Sequence, residues 1–256
     1  MSKTIVMIHG MWGGSWCWDN FKNFFEEKGY QCHIPVLRHH DVDPGDKPKL
    51  ELGTTSLLDY AHDLETYIRK LDEPPIIMGH SMGGLLAQIL GARGLAECLV
   101  LLTPASPSGI NALNFSVIKS FWGILTRWGF WRNPHRISFN AAVYAMMHLL
   151  PEEEQKKSYN KLVYESGRAA TEIGLWLFDL KGASKVDETK VTCPVLVVAG
   201  SEDRITPVSV VKKVAKKYDS VATYKEFENH AHFVISEPGW DKIAAYVFEW
   251  LNRHKS

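Results

Sequence analysis

The chain has 256 residues, with 29 Lys or Arg balanced by 29 Asp or Glu, and its formal net charge is zero. That length suits one large α/β domain or two small ones with a sizeable core, and the balanced charge, without a basic stripe or nucleic-acid motif, excludes a nucleic-acid binder. No run reaches the ~18 uninterrupted apolar residues of a membrane span, and the N-terminus lacks a secretory h-region and cleavage site. Cys17, Cys32, Cys98 and Cys193 form no CxxC pair. They read as buried small residues, which predicts a soluble, reduced, cytoplasmic protein rather than a disulfide framework, zinc site or redox dithiol.

Short apolar runs alternate with helical patterns along the chain. "TIVMIHG" (4–10) is β-branched and closed by Gly, as a buried parallel strand requires. "WDNFKNFFEEKG" (18–29) puts Phe21, Phe24 and Phe25 on one helical face, with Gly29 as a C-cap. A second strand is predicted at 30–37, an amphipathic helix at 54–71, a third strand at 74–81 and a helix of small and apolar residues at 82–94. "ECLVLLTP" (97–104) supplies a fourth strand, 193–200 a fifth and 223–229 a weaker sixth, with helices at 207–218 and 239–254. This alternation predicts right-handed βαβ crossovers and a mostly parallel sheet of about six strands, with helices on both faces.

Residues 105–185 interrupt the alternation. "NFSVIKSFWGILTRWGFW" holds six aromatics, and no strand pattern returns before Cys193. The division predicted is a core of 1–104 and 186–256 with a helical cap inserted at 105–185. "PEEEQKK" (151–157) has Pro at the first helical position and acids in the first turn, as the start of a cap helix should.

In parallel sheets chemistry gathers in loops at the carboxyl ends of strands. "IMGHSMGGL" places Ser81 between a strand and a helix, with Gly79 and Gly83 two residues to either side. A turn that tight lifts the hydroxyl above the sheet and turns the N–H of Met82 toward an oxyanion at a helix N-terminus. A serine needs a base, and the loop after the last strand, "NHAHFVISEP", offers His230 and His232. His232 is the better candidate, because Phe233 and Val234 can anchor its loop. "VVAGSEDRITP" supplies the carboxylate that orients the base. Asp203 lies deeper in that loop than Glu202, the candidate for a solvated turn. In "HGMWGGSW", His9 reads as a strut for a sharp turn that presents the N–H of Met11, or of Trp12, as a second oxyanion donor. "RHHD" (38–41) matches no metal-ligand spacing, and neither a metal nor an organic cofactor is expected.

Together, "HGMWGGSW", "GHSMGG", "GSEDRITP" and "HAHFVISEP" resemble the α/β-hydrolase superfamily, esterase/lipase-like branch, from about Thr4 to about Leu251. The order Ser81, Asp203, His232 is that of its nucleophile, acid and base. "HGMWGGSWCW" is also similar to the plant methylesterase and hydroxynitrile lyase group. Lyase members carry Lys directly after the catalytic His; here that place is Phe233. The resemblance implies the α/β-hydrolase fold, Ser-His-Asp chemistry through an acyl-enzyme, and hydrolysis of a carboxylic ester, thioester or lactone. Carbon–carbon bond hydrolysis, acyl transfer and a non-catalytic ligand-binding homologue are the alternatives. From Cys98 to Pro151 there is no Asp or Glu, while Lys119, Arg127, Arg132 and Arg136 are cationic. A greasy pocket with a mildly positive rim is expected, lined by Trp12, Phe121, Trp122, Trp128, Trp176 and Phe233 and taking an apolar small-molecule ester.

Overall fold

Six short strands form one sheet: β1 (Thr4–Ile8), β2 (Gln31–His33), β3 (Ile76–His80), β4 (Cys98–Leu102), β5 (Val195–Gly200) and β6 (Ala222–Phe227). Their order is β2-β1-β3-β4-β5-β6, and every pairing is parallel. The computed structural model describes residues 3–218 and 220–254.

β3, β4 and β5 are buried along their whole length, which is why they read as continuous apolar runs. Alternate side chains feed two cores. Val6, Ile8, Ile77, Leu99 and Val197 face α2 (Leu57–Ile68), α3 (Met82–Ala92) and α8 (Val208–Lys217). Ile5, Met7, Met78, Val100 and Val198 face α1 (Asp19–Glu27) and α9 (Trp240–Arg253) on the other side. The structure has the α/β-hydrolase fold, with helices on both faces of the sheet.

Between β4 and β5 lie α4 (Phe115–Leu125), α5 (Phe139–Ala142), α6 (Glu152–Asn160) and α7 (Gly167–Gly174). Among the described residues this segment holds no strand, and its one β-bridge pairs His135 with Glu165. Local signals set several boundaries. Gly29 takes φ 84° just past α1, and Ser56 with Asp59 forms a capping box at the start of α2. The second strand is shorter than predicted, ending at His33, because Pro35 has no N–H to continue a ladder. Pro151 caps α6 from outside instead of occupying its first turn.

The chain adds β2 on one side of β1 and then returns to add β3 on the other. Ligand crevices open at such reversals, at the carboxyl ends of the strands. The register Ile8↔Gly79 sets the loop after β1 beside the turn after β3.

Candidate active site

Ser81 sits between β3 and α3 with φ 55° and ψ −121°, a conformation that costs a non-glycine residue ~1–3 kcal/mol. Surrounding backbone holds it there: its N–H donates to Leu102 O at 3.1 Å, and its carbonyl accepts from Gly84 N and Ala105 N, each at 2.9 Å. A Cβ on Gly79 would lie 2.2 Å from Gly83 O, and one on Gly83 would lie 2.1 Å from Ile8 O. Both obstacles are backbone, so neither can swing away. Gly83→Ala is therefore expected to lower the melting temperature by more than ~10 °C or to prevent folding, a loss of several kcal/mol at this chain length. A thermal melt within a degree or two of wild type would contradict this.

His232 Nε2 accepts from Ser81 Oγ at 2.8 Å, and His232 Nδ1 donates to Asp203 Oδ2 at 2.8 Å. All three residues are buried. Asp203 also accepts from Ile205 N, Thr206 N and Thr206 Oγ1 at 2.8, 2.9 and 2.7 Å. Burial alone would raise the Asp203 pKa, but His232 and the donors from Thr206 outweigh it and hold the carboxyl below its usual range. Glu202, by contrast, is exposed. His230 is occupied elsewhere: its Nδ1 donates to the buried Glu237 at 2.9 Å.

Two supports were not legible in the sequence. His80 Nε2 and Thr103 Oγ1 both donate to the carbonyl of His232, at 2.8 and 3.0 Å. Burial, followed by the neighbouring His232, pushes the His80 pKa down to about 3, so this ring stays neutral. Thr103 is β-branched yet has φ 42°, and its own carbonyl oxygen lies 3.1 Å from Thr206 Oγ1. For Thr206 a signal existed, a hydroxyl three residues after Asp203 in a loop, where it can close an Asx-type turn.

After β1, His9 Nε2 accepts from Leu37 N at 3.2 Å and Nδ1 donates to Gly10 O at 2.8 Å. Burial lowers its pKa to about 3. Trp12 takes φ 60° in the turn that follows, closed by Gly13 N to Gly10 O at 3.3 Å. The 105–185 segment grips this turn: Val163 N donates to Trp12 O at 2.9 Å, and the Trp12 indole donates to His135 O at 3.2 Å.

Two cavities meet at Ser81. The larger, about 320 Å³, is lined by Met11, Met82, Val117, Phe121, Ile124 and Leu175 among others, all but a few of them apolar. The smaller, about 30 Å³, lies against Trp12, Cys17, His80, His232 and Phe233. Burial pushes the Cys17 thiol up to about 12, so it is no thiolate nucleophile. Of the aromatics predicted to line the pocket, Trp12, Phe121 and Phe233 do so. Trp122, Trp128 and Trp176 line neither cavity, which corrects the expectation. One residue beyond Phe121 is about 100° around the helix, which turns Trp122 to solvent. Trp128 packs edge-on against Trp131 at the surface, and Leu175 rather than Trp176 takes the cavity side of its turn. Val117, Phe121 and Ile124 share the inward face of α4, a helical spacing visible in the sequence but read there only as aromatics.

The "RHHD" loop meets the 105–185 segment through a buried ion pair. His40 Nε2 contacts Glu165 Oε2 at 3.1 Å and Nδ1 contacts Arg38 O at 3.0 Å. Both partners only accept, so both ring nitrogens carry protons and the ring is charged. Glu165 also accepts from Tyr60 Oη and Ser166 N, at 2.8 and 2.6 Å. Burial works against both charges, but their mutual attraction wins, raising the His40 pKa above 6.5 and lowering that of Glu165 below 4.5. His40 thus stabilises fully below 6.5 and loses its contribution as pH rises through its folded pKa. Glu165 stabilises fully above 4.5 and loses its contribution as pH falls through its own. Glu165→Gln is expected to cost ~3–5 kcal/mol near pH 5.5, with the gap to wild type narrowing at alkaline pH. Thermal melts from pH 4.5 to 9 read this out, and a gap that widens with pH would contradict it.

A parallel six-stranded sheet, a serine raised on a strand–helix turn and a Ser–His–Asp contact above it define an α/β-hydrolase scaffold. The model of the Alpha/beta hydrolase family matches residues 5–245, and the chain belongs to that family. It is 26% identical over 262 residues to an uncharacterized abhydrolase domain-containing protein of Dictyostelium discoideum, which covers 97% of this chain but 26% of that protein. It is 25% identical over 128 residues to Methylesterase 9 of Arabidopsis thaliana, 48% of each. The chain thus spans about a quarter and about half of these two relatives. The monoacylglycerol lipase of Paleococcus ferrophilus shares the fold, with a TM-score of 0.71 at 22% identity over 98% of this chain and 95% of that one. Among the described residues no helix is long and apolar enough to cross a membrane.

Proposed function

We propose that the protein is a carboxylic ester hydrolase in which Ser81 is the nucleophile, His232 the general base and acid, and Asp203 the group that orients His232. The observation that carries this reading is the chain of two 2.8 Å contacts from Ser81 Oγ through His232 to Asp203. His232 Nε2 takes the Ser81 proton as Oγ bonds to the ester carbonyl carbon. The N–H groups of Met11 and Met82 stabilise the oxyanion, each such donor contributing ~3 kcal/mol in the transition state. His232 then protonates the leaving alcohol, and a water deprotonated by the same ring releases the acid and restores Ser81. Residues 105–185 act as a cap over a core of 1–104 and 186–256. The four free thiols support a cytoplasmic location.

The unequal cavities support one orientation of the substrate. The leaving oxygen must reach His232, which lines the 30 Å³ compartment, so the alcohol is small. The acyl group fills the 320 Å³ compartment, whose apolar lining favours a medium chain or an aromatic acid. Relatives named as a methylesterase and a monoacylglycerol lipase are compatible with an ester of this shape. Methyl decanoate should therefore be cleaved with kcat/KM at least ~10-fold above decyl acetate, a ratio set by one buried alkyl chain. Equal values, or the reverse preference, would remove the assignment.

A further inference from the structure

Twelve large hydrophobic side chains are exposed among the described residues, and nine of them belong to residues 113–180. Phe115 and Phe178 are each 80% exposed, Trp128 91% and Leu180 fully. Isolated apolar residues on a surface need no explanation, but a cluster of this size does. On α4, Phe115, Ile118 and Trp122 fall at i, i+3 and i+7, an exposed stripe beside the inward Val117, Phe121 and Ile124, with Ile118 at the edge of both.

Part of the cluster borders the large cavity and the groove beside it. Leu113 and Ile118 are exposed and also line that cavity. Phe130, Thr171 and Leu175 are shared with an adjoining open groove that runs past Trp131, Arg132 and Phe178. Cations are interleaved with the apolar residues: Lys119 beside Ile118, Arg127 beside Trp128, Arg132 beside Trp131 and Lys181 beside Leu180. All four are exposed, and none takes part in an ion pair among the described residues. The one acid within the stretch 176–181, Asp179, lines the adjoining groove and accepts from the N–H groups of Lys181 and Ala183.

We propose that this face docks on an anionic lipid bilayer, with the exposed aromatic and aliphatic side chains in the headgroup boundary and Arg127, Arg132 and Lys181 against lipid phosphates. The charge pattern favours that occupant over a second copy of the chain, which would oppose the same cations across a two-fold axis. Protruding single side chains suit a deformable interface better than a shaped protein groove. With this border facing the bilayer, an apolar ester passes from lipid to cavity without crossing water.

The test is flotation of the full chain with phosphatidylcholine vesicles, with and without about 30% phosphatidylglycerol. The Ser81→Ala protein should bind as wild type does, which keeps this test separate from the esterase reading. Two variants carry it: Phe115→Ser/Phe178→Ser/Leu180→Ser, and Arg127→Glu/Arg132→Glu. Each should reduce the bound fraction at least ~10-fold while leaving hydrolysis of a short water-soluble ester and the thermal melt unchanged, and the binding should weaken in high salt. Absence of wild-type binding to the anionic vesicles, equal binding by the variants, or a dimer abolished by the same substitutions would each overturn the proposal.

Discussion

Ser81→Ala is expected to lower kcat on methyl decanoate by ~10⁴–10⁶-fold with KM changed little. The hydroxyl is the atom that bonds to the acyl carbon, and nothing nearby can replace it. Cys17 lies in the adjoining compartment, but its thiol pKa is pushed up to about 12 by burial. The substitution removes one oxygen and leaves Cβ in place, so the backbone at φ 55° is no more strained than before. Both cavities and the turn after β1 persist, which is why binding and the thermal melt should be unaffected. A variant retaining a tenth of wild-type kcat would place the chemistry elsewhere.

Asp203→Asn should reduce kcat by ~10⁴-fold, again with the fold intact. Asp203 faces only donors: His232 Nδ1–H, the N–H groups of Ile205 and Thr206, and the Thr206 hydroxyl. An amide has one acceptor oxygen and one NH₂ group, so one side of that arrangement must fail. If the oxygen stays with the two backbone N–H groups, the NH₂ meets His232 Nδ1 and drives the ring proton to Nε2. That tautomer cannot accept the Ser81 proton. Glu202→Gln is the companion measurement: its side chain is exposed one residue away and should leave kcat within about twofold. Comparable losses from both substitutions would show that the loop's charge, rather than its hydrogen bonds, matters.

The catalytic candidates were legible because each stands where a local pattern changes. Ser81 follows a strand and precedes a helix, and Gly79 and Gly83 mark a turn too crowded for any Cβ. Asp203 and His232 each follow a strand in a loop short enough to search. The supports were not legible, because they are contacts between distant segments that leave no periodic trace. His40 meets Glu165 across 125 positions, and Glu172 accepts from Ser56 Oγ and Leu57 N across more than 110. A buried Glu in a helical pattern looks like any other polar position until its partner is known. The pocket was half readable: aromatic content indicated a greasy site, but only helix phase separates Phe121, which lines the cavity, from Trp122, which faces solvent. In β2, one proline removed most of a strand that hydrophobicity had indicated.

The phosphonate labelling of Ser81 is the most direct probe of whether this serine is activated. After exposure to a fluorophosphonate, intact mass should show one phosphonyl group added to the wild-type chain, located at Ser81 by peptide mapping and absent from Ser81→Ala. An unmodified wild-type chain, or a Ser81→Ala chain labelled at the same rate, would contradict the account.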